Sequence, residues 1–233
     1  MVQFADFDSR HYPTVDVRTG YGQWVANYED TVEDLMDLAV LGDLTVPHWV
    51  ELARAADLGC GTGRTGGWLR ARGVAAVDGV DLTPEMLDRA RLRGAHRVLL
   101  EGDLADTGLP GGEYDLVISS LVDEHLPELA PLYREAYRLA APGGLCVLVG
   151  LHPQFIMTAG MPTHFTTAEG TDLAIDTHLH LVSDHLTAAL GEGWQLAEMR
   201  EAVVDERWTA LKPKWVKHLG VPVSAAYVYR KQG

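Results

Sequence analysis

The chain has 233 residues, of which 47% are hydrophobic and 22% are charged, and its formal net charge at pH 7 is -14. These values are typical of a globular protein with one substantial core, and the length is short for two such domains. The acidic balance argues against a nucleic-acid-binding protein, because contacts with phosphates need many lysine and arginine side chains. The sequence has no apolar run long enough to span a membrane and no signal-peptide pattern at its start, so we expect a cytoplasmic protein that does not contact membranes.

The first fifty residues precede the first predicted strand. Residues 1–20 are polar and irregular, whereas residues 21–41 carry apolar side chains at helical spacing, which predicts one or two helices. We assign residues 1–50 to an N-terminal helical cap.

Short apolar runs then alternate with helical segments. Buried strands are predicted at residues 53–59, 75–82, 96–103, 114–120 and 145–152. The clearest helix lies between the second and third of them, with Thr83 as its N-cap, Pro84 at its first position and Gly94 past its end. The alternation predicts an α/β fold with a doubly wound, mostly parallel sheet and helices on both faces, whose ligand sites lie at the carboxyl ends of the strands.

A glycine-rich loop follows the first predicted strand. Residues 56–66, ADLGCGTGRTG, end that strand and open a helix. Glycines let the backbone approach a ligand closely, and the helix N-terminus supplies N–H donors and a positive dipole end. Residues 61–66 also match the dinucleotide pattern G-x-G-x-x-G, so a nicotinamide cofactor is an alternative at this point.

An acidic residue closes each of the first three predicted strands: Asp57, Asp81 and Asp103. Asp57 suits a cationic amino group, whereas it would repel a pyrophosphate held at the same turn. Asp81 suits the two hydroxyls of a ribose, and Asp103 suits the exocyclic amine of adenine. Together they describe a pocket for a ligand with an amine, a ribose and an adenine but no phosphate. Asp81 and Asp103 would also suit a structural role as caps of the following turns.

In this order the motifs resemble those of the class I, Rossmann-like S-adenosylmethionine-dependent methyltransferases, in the small-molecule, type 11-like branch. DLGCGTG looks like the family's first motif, and GVDLTPEML resembles its second-strand acid and following helix. EGDLADTGLPGGEYDLVISS resembles the segment spanning the third and fourth strands, and LAAPGGLCVLVG resembles the turn into the fifth. The resemblance covers residues 21–152 and implies a seven-stranded sheet with an antiparallel edge at the C-terminus.

The resemblance implies that S-adenosylmethionine is the cofactor and S-adenosylhomocysteine the product. The implied cofactor-binding residues are Tyr21, Tyr28, Asp57, Gly59, Cys60, Gly61, Gly63, Asp81, Leu82, Met86, Gly102, Asp103, Leu104, Ser119 and Leu121. The loop glycines would pass beside the methionine moiety, with Asp57 near its amino group. Asp81 would hold the ribose and Asp103 the adenine, with the leucines that follow them packing on the ring. Ser119 and Leu121 would line the sulfonium side.

The two tyrosines of that set lie on the predicted first helix. Tyr21 and Tyr28 would close over the cofactor, as an N-terminal tyrosine does in the family. They would suit equally well the core face of an amphipathic helix.

Methyl transfer from a sulfonium is an in-line displacement, for which a protein supplies alignment and, where the acceptor loses a proton, a base. The run after the fourth strand is SSLVDEHL and not an NPPY-like motif of nucleic-acid or protein-amide methylation. With the acidic charge, this favours a small-molecule acceptor. The candidate bases are His125, His152, His178 and His180. His125 ranks first because it follows the fourth strand beside the transferred methyl, although all four would suit structural roles.

Residues 153–182 form an insertion where a short connection to the next helix is expected. With the N-terminal cap, this segment is the predicted acceptor-side lid. Its side chains Phe155, Met157, Met161 and Phe165 predict an apolar or aromatic acceptor, although they would equally suit packing of the insertion onto the domain. Residues 183–233 are predicted to hold a helix capped by Ser183 and the two antiparallel edge strands.

The insertion ends in the histidine-rich run IDTHLHLVSDHL, residues 175–186. Residues 172–182 alternate between polar and apolar, which predicts a strand with Asp176, His178 and His180 on one face. We expect these histidines to form a pocket wall or to be structural. We predict no metal site, because no third ligand is specified on that face.

The sequence therefore predicts a methyltransferase that moves a methyl group to a small-molecule acceptor. The alternatives are an NAD(P)-dependent oxidoreductase and a protein that binds S-adenosylmethionine without transferring its methyl. Whether oxygen, nitrogen or carbon is methylated, and the oligomeric state, stay open.

Overall fold

The computed structural model describes residues 4–32 and 34–233 of the chain. The strands of this part are β1 (Thr14–Val15), β2 (Arg54–Leu58), β3 (Ala76–Asp81), β4 (Val98–Glu101), β5 (Tyr114–Ser120), β6 (Ala140–Leu151), β7 (His164–Thr166), β8 (Asp172–Ile175), β9 (Trp194–Val203) and β10 (Pro222–Lys231). Its α-helices are α1 (Val17–Trp24), α2 (Tyr28–Thr31), α3 (Leu38–Gly42), α4 (Arg64–Ala71), α5 (Pro84–Arg93), α6 (Ala130–Leu139), α7 (Pro153–Ala159), α8 (Val182–Gly191) and α9 (Glu206–Leu211). Short 3-10 helices span Phe4–Asp6, Trp49–Glu51, Asp123–His125 and Pro213–His218.

Within the described residues, the main sheet has seven strands in the order β4-β3-β2-β5-β6-β10-β9. The strands from β4 to β6 run parallel, whereas β10 is antiparallel to both of its neighbours, β6 and β9. The predicted doubly wound sheet with an antiparallel C-terminal edge is confirmed. Because β2 and β5 lie side by side at its centre, the chain segments that follow them meet at one edge.

The core lies on both faces of this sheet. On one face, Tyr133 of α6 and Ala189 of α8 pack against Val117 and Tyr227 of the central strands. On the other face, α3 and α4 bury leucines such as Leu69 against the same strands. Each central strand is buried on both sides, which explains why these segments read as continuous apolar runs and not as alternating ones.

The predicted element bounds hold best in the central strands and in α5. The strand β5 spans 114–120 as predicted, and α5 starts at Pro84 and ends before Gly94, which has φ +67°. The strand β6 starts at Ala140, five residues before its predicted start at 145, because Ala140 pairs with Tyr114 of β5.

The N-terminal prediction of one or two helices over residues 21–41 is wrong in its bounds. The described residues of this segment form three short helices. The helix α1 starts earlier, at Val17, because the Asp16 carboxylate accepts a hydrogen bond from the Thr19 backbone N–H at 3.0 Å. The breaks that follow fall at Asn27 and Asp37, which precede α2 and α3.

The structure also corrects the interpretation of residues 153–182. A helix, α7, follows β6 at once, and a small sheet then forms in the order β1-β8-β7. The strand β8 ends at Ile175, so His178 and His180 do not share a strand face. The helix α8 starts at Val182 with Leu181 as its N-cap, so the predicted cap, Ser183, lies inside the helix.

No helix within residues 4–32 and 34–233 has the length and apolar character needed to cross a bilayer.

Candidate functional site

The glycine loop between β2 and α4 depends on backbone conformations that favour glycine. Gly59, Gly61 and Gly63 have φ values of +71°, +50° and +83°. The backbone N–H groups of Gly59 and Cys60 both donate to the Val80 carbonyl, at 2.8 and 3.0 Å. The loop therefore crosses the carboxyl end of β3 before it turns into α4.

Asp81 ties that loop to the next helix. One carboxylate oxygen accepts a hydrogen bond from the Gly61 N–H at 2.7 Å, and the other accepts from the Thr83 N–H at 2.8 Å. Burial raises the pKa of Asp81, although these hydrogen bonds oppose the shift by stabilising the charged form. The carboxylate stands at the carboxyl end of β3, where the sequence places it.

A cavity of about 260 Å3 opens over this loop, and we call it the first cavity. The predicted residues that line it are Tyr21, Tyr28, Gly59, Gly61, Asp81, Leu82, Met86, Asp103, Leu104, Leu121 and His125. Lining residues that sequence reasoning missed are Val17, Thr83, Ser120, Val122, Leu126 and Pro127. Four of the missed residues immediately follow predicted ones: Thr83, Ser120, Val122 and Leu126. Pro127 comes one residue later, and Val17 belongs to a helix that was predicted to begin later.

Other predicted cofactor residues lie outside this lining: Asp57, Cys60, Gly63, Gly102 and Ser119. The Asp57 side chain is buried below the loop, where its carboxylate pairs with the His96 ring at 3.0 Å. Its other carboxylate oxygen has no hydrogen-bond partner, so the predicted contact of Asp57 with an amino group stays a prediction.

The remaining members of that set contribute to the loop and its surroundings. The Cys60 thiol is buried, and burial raises its pKa. Gly63 is the N-cap of α4, and the Gly102 N–H donates to the Asp81 carbonyl at 3.1 Å. Ser119 is buried in β5 while Ser120 lines the cavity, since successive residues of a strand face opposite sides. The prediction of Ser119 is thus one residue out of register.

Ion pairs hold the N-terminal helices over the first cavity. The Arg64 guanidinium of α4 contacts both carboxylate oxygens of the buried Asp37, at 3.2 and 3.1 Å. Arg93 of α5 contacts Glu29 of α2 at 2.6 Å. The segment that carries Tyr21 and Tyr28 is therefore anchored to the two helices that flank the glycine loop.

The Tyr21 hydroxyl meets the His125 ring inside the first cavity. Nδ1 of His125 lies 2.7 Å from the Asp176 carbonyl, which only accepts, so Nδ1 donates. In the neutral ring, Nε2 then accepts a hydrogen bond from the Tyr21 hydroxyl, at 2.8 Å. Burial lowers the pKa of His125, which favours this neutral form.

The histidine-rich run packs on the loop that carries His125. The His178 backbone N–H donates to the Glu124 carbonyl at 2.6 Å, and the His180 ring donates to the Leu126 carbonyl at 2.7 Å. His185 lies 3.3 Å from the buried Asp123 carboxylate. Contacts from residues 176–185 thus fix each residue from 123 to 126.

A second cavity, of about 370 Å3, lies between the N-terminal helices and residues 151–166. Its aromatic walls are Tyr21, Trp24, Tyr28, Phe155, Phe165 and Trp215. Met36, Leu151, Met161 and Pro162 add apolar surface, while Glu124 and Lys214 are its charged lining residues. Of the four side chains from which an apolar pocket was predicted, Phe155, Met161 and Phe165 line this cavity and Met157 does not.

The two cavities share part of their walls at Tyr21, Tyr28 and Leu121. Leu121 has φ +56°, a left-handed conformation that is unfavourable for a leucine, and its N–H donates to the Val149 carbonyl at 2.7 Å. This turn at the end of β5 places one side chain between the two cavities.

Three predicted bases lie away from both cavities. His152 caps α7 by accepting from the Gln154 N–H at 3.2 Å, and its other ring nitrogen lies 3.0 Å from Glu201. His178 and His180 hold the 123–126 loop. The predicted catalytic role does not fit these three histidines, because none of them lines either cavity. In the described part of the chain, no group of three histidine, cysteine, aspartate or glutamate side chains could hold a metal ion.

Comparison with known proteins agrees with the geometry. Residues 56–148 match the family model described as a methyltransferase domain. A malonyl-[acyl-carrier protein] O-methyltransferase of Serratia marcescens is 42% identical over 89 residues, which are 38% of this chain and 34% of that protein. A chloroplastic tocopherol O-methyltransferase of Arabidopsis thaliana is 31% identical over 105 residues, which are 42% of this chain and 30% of that protein. The chain thus spans about a third of the length of these curated relatives.

A solved structure extends the likeness over most of the chain. The crystal structure of an S-adenosylmethionine-dependent methyltransferase from Mesorhizobium loti superimposes with a TM-score of 0.69 and 26% identity. The match covers 87% of this chain and 99% of that one. These matches confirm the predicted resemblance and fold.

Proposed function

We propose that this chain, which carries a class I methyltransferase domain, binds S-adenosylmethionine in the first cavity and methylates a small molecule in the second. The observation that carries the proposal is the shared wall of the two cavities at Tyr21, Tyr28 and Leu121. An in-line displacement needs the acceptor and the methyl donor to meet across such a boundary.

The residues of the first cavity fit the cofactor. Gly59 and Gly61, which have no side chain, present their backbone to a methionine moiety. Asp81 stands where its carboxylate can accept from ribose hydroxyls, and the exposed Asp103 where it can accept from an adenine amine. Leu82 lines the cavity and supplies apolar surface for the base. The bound cofactor would supply an activated methyl group on sulfur.

Tyr21 and His125 act at the junction in this proposal. The His125 ring holds the Tyr21 hydroxyl at 2.8 Å, and Tyr21 lines both cavities. It aligns the reacting atom of the acceptor with the methyl group. A proton arriving at Tyr21 could pass to Nε2, which already accepts its hydrogen bond.

The parts of the chain take distinct roles in this proposal. Residues 51–152 form the cofactor-binding core, and residues 1–50 and 153–182 form the cap and lid that enclose the acceptor. Residues 183–233 complete the sheet as one domain with the rest. Because Cys60 and Cys146 are both free and buried, we also propose a reducing, cytoplasmic location.

Calorimetric titration tests the cofactor directly. We expect S-adenosylmethionine to bind with a dissociation constant in the micromolar range, and NADH not to bind, because the Asp57 carboxylate below the glycine loop would repel a pyrophosphate held there. Absence of S-adenosylmethionine binding would refute the proposal. Mass spectrometry of metabolites incubated with labelled cofactor then separates transfer from binding alone, since binding without S-adenosylhomocysteine formation indicates a non-catalytic protein.

Gly59→Ala should weaken cofactor binding by about tenfold. A Cβ at this position would lie 2.6 Å from a Val122 methyl carbon, and Val122 would have to move into the first cavity. Gly94→Ala is the matched control, because Gly94 has a similar φ of +67° but no atom within 4 Å of the position that a Cβ would take. Both variants should lose about 1–2 kcal/mol of stability from backbone strain, and only Gly59→Ala should lose affinity. Equal affinities in the two variants would contradict the assigned position of the cofactor.

A further inference from the structure

The second cavity is built mainly from residues outside the matched methyltransferase domain. Among its lining residues, only Leu121 and Glu124 fall within residues 56–148. The acceptors of the curated relatives therefore say little about the acceptor of this chain. We therefore infer the class of acceptor from the side chains that line the second cavity.

Glu124 is the buried charged side chain of that cavity. It is 3% exposed, and one carboxylate oxygen accepts a hydrogen bond from the Thr163 hydroxyl at 3.2 Å. The same oxygen lies 3.8 Å from Nε2 of His125. The other oxygen is buried without an N–H or hydroxyl donor, and a hydrogen bond with the adjacent Asp123 carboxyl raises the pKa of Glu124.

Among residues 4–32 and 34–233, the side chain at ion-pairing distance from the Glu124 carboxylate is the His125 ring, at 3.8 Å. His125 does not supply the missing charge, because burial lowers the pKa of its ring and so favours the neutral form. Without a cationic partner the buried carboxyl keeps its proton, and a ligand that brings a cation would stabilise the ionised form instead.

The walls of the cavity also suit a cation. The Trp24 and Tyr28 rings are 5.0 Å apart and nearly perpendicular, at 75°, while Trp24 stacks on Phe165 at 5.9 Å. On another wall, Phe155 stacks on Trp215 at 5.6 Å. Aromatic rings that line a cavity attract ammonium groups through their quadrupoles.

We propose that the methyl acceptor is a primary or secondary amine, which enters the second cavity as an ammonium and pairs with Glu124 between these aromatic walls. The proposal rests on the proposed function and names its substrate class. Glu124 takes one N–H proton from the ammonium. The freed nitrogen lone pair forms a bond to the methyl carbon and displaces the sulfur, which keeps the electron pair of the broken carbon–sulfur bond. The product is an N-methylated ammonium, a neutral thioether and a protonated Glu124.

Titratable groups from several segments surround Glu124. Asp123 precedes it, His125 follows it, and the Tyr21 and Tyr28 hydroxyls approach from the N-terminal helices. Lys214 lines the same cavity but is exposed, so that water screens its charge. Burial, and then the Asp123 carboxylate, raise the pKa of Glu124 to about 8. Glu124 is therefore protonated near neutral pH before an amine binds, and an incoming ammonium displaces that proton.

Benzylamine and benzyl alcohol test this, because they match in shape and differ in charge. Each is titrated calorimetrically into the full chain saturated with S-adenosylhomocysteine, at about pH 7 and in two buffers of different ionisation enthalpy. We expect benzylamine to bind at least about tenfold more tightly than benzyl alcohol and to release a proton. In Glu124→Gln this preference should fall below about threefold and the proton release should vanish.

Glu128→Gln is the matched control, because Glu128 is exposed on the same loop and lines neither cavity. It should behave as the wild type. Equal binding of the two probes, no benzylamine binding, or a preference that survives Glu124→Gln would each overturn the amine assignment. These results leave the proposed function standing whenever the same sample binds S-adenosylmethionine, so the two failures are distinguishable.

Discussion

Asp81→Ala is expected to weaken the binding of S-adenosylmethionine about 100-fold. A carboxylate that accepts from two ribose hydroxyls makes two charge-assisted hydrogen bonds, each contributing about 1.5–3 kcal/mol. Alanine also frees the backbone N–H groups of Gly61 and Thr83, which Asp81 holds at 2.7 and 2.8 Å. The glycine loop would then lose its tie to the start of α5. Calorimetric titration of the purified variant measures the affinity.

Asp88→Ala controls for the loss of one acidic side chain. Asp88 is exposed on α5, where it pairs with Arg91, and it lines neither cavity. We expect its affinity to stay within about twofold of the wild type. Thermal unfolding monitored by circular dichroism separates a binding loss from general misfolding. An Asp81→Ala variant that folds and binds within about threefold of the wild type would remove Asp81 from the cofactor site.

The central sheet could be predicted because its strands are short, fully buried and separated by clear turn signals. The strand β5 is a run of buried residues whose predicted and observed bounds agree. The start of β6 was missed because strand pairing with Tyr114 extends it backwards through Pro142, which a sequence pattern assigns to a turn. The prediction used local signals, whereas this extension depends on a partner 26 residues away.

The histidine run shows how a correct pattern can give a wrong element. Residues 172–182 do alternate, but a strand needs a neighbour along its whole length. The partners of β8 are only two and three residues long, β1 at Thr14–Val15 and β7 at His164–Thr166. The strand ends at Ile175, where these partners end. His178 and His180 then turn towards the 123–126 loop, a contact that no local pattern encodes.

In the candidate site, the motif-based predictions that hold are those at positions where the motif itself determines the backbone. Gly59, Gly61 and Asp81 are examples. The choice of Ser119 over Ser120 failed because two adjacent serines end an apolar strand, and the sequence offers no means of choosing the face. Glu124 was not singled out because its importance comes from burial beside Asp123 and Thr163, which becomes apparent only in three dimensions.

Glu124 also makes the stability of the protein depend on pH in an unusual direction. Burial and the Asp123 carboxylate raise its pKa to about 8, above the ordinary value of 4.5. Below pH 4.5 the carboxyl is protonated in both the native and the unfolded state, so it does not make the free energy of unfolding depend on pH. Between the two values the unfolded chain releases the proton and the native state keeps it, so the free energy of unfolding falls as pH rises. The loss is on the order of a few kcal/mol by the time the pH passes the native pKa.

Glu124→Gln removes this titration while keeping an oxygen that can accept from Thr163. Urea unfolding at about pH 5 and about pH 8.5 measures the difference. We expect the variant to be more stable than the wild type by roughly 2–4 kcal/mol at the higher pH, and by less than about 1 kcal/mol at the lower one. Glu128→Gln should show no such divergence, because that carboxylate is exposed. The opposite result would be free energies of unfolding of the wild type and of Glu124→Gln that differ by the same amount at both pH values. That result would mean that Glu124 is ionised in the native cavity. The protein itself would then already neutralise the carboxylate, and the need for a cationic acceptor would disappear with it.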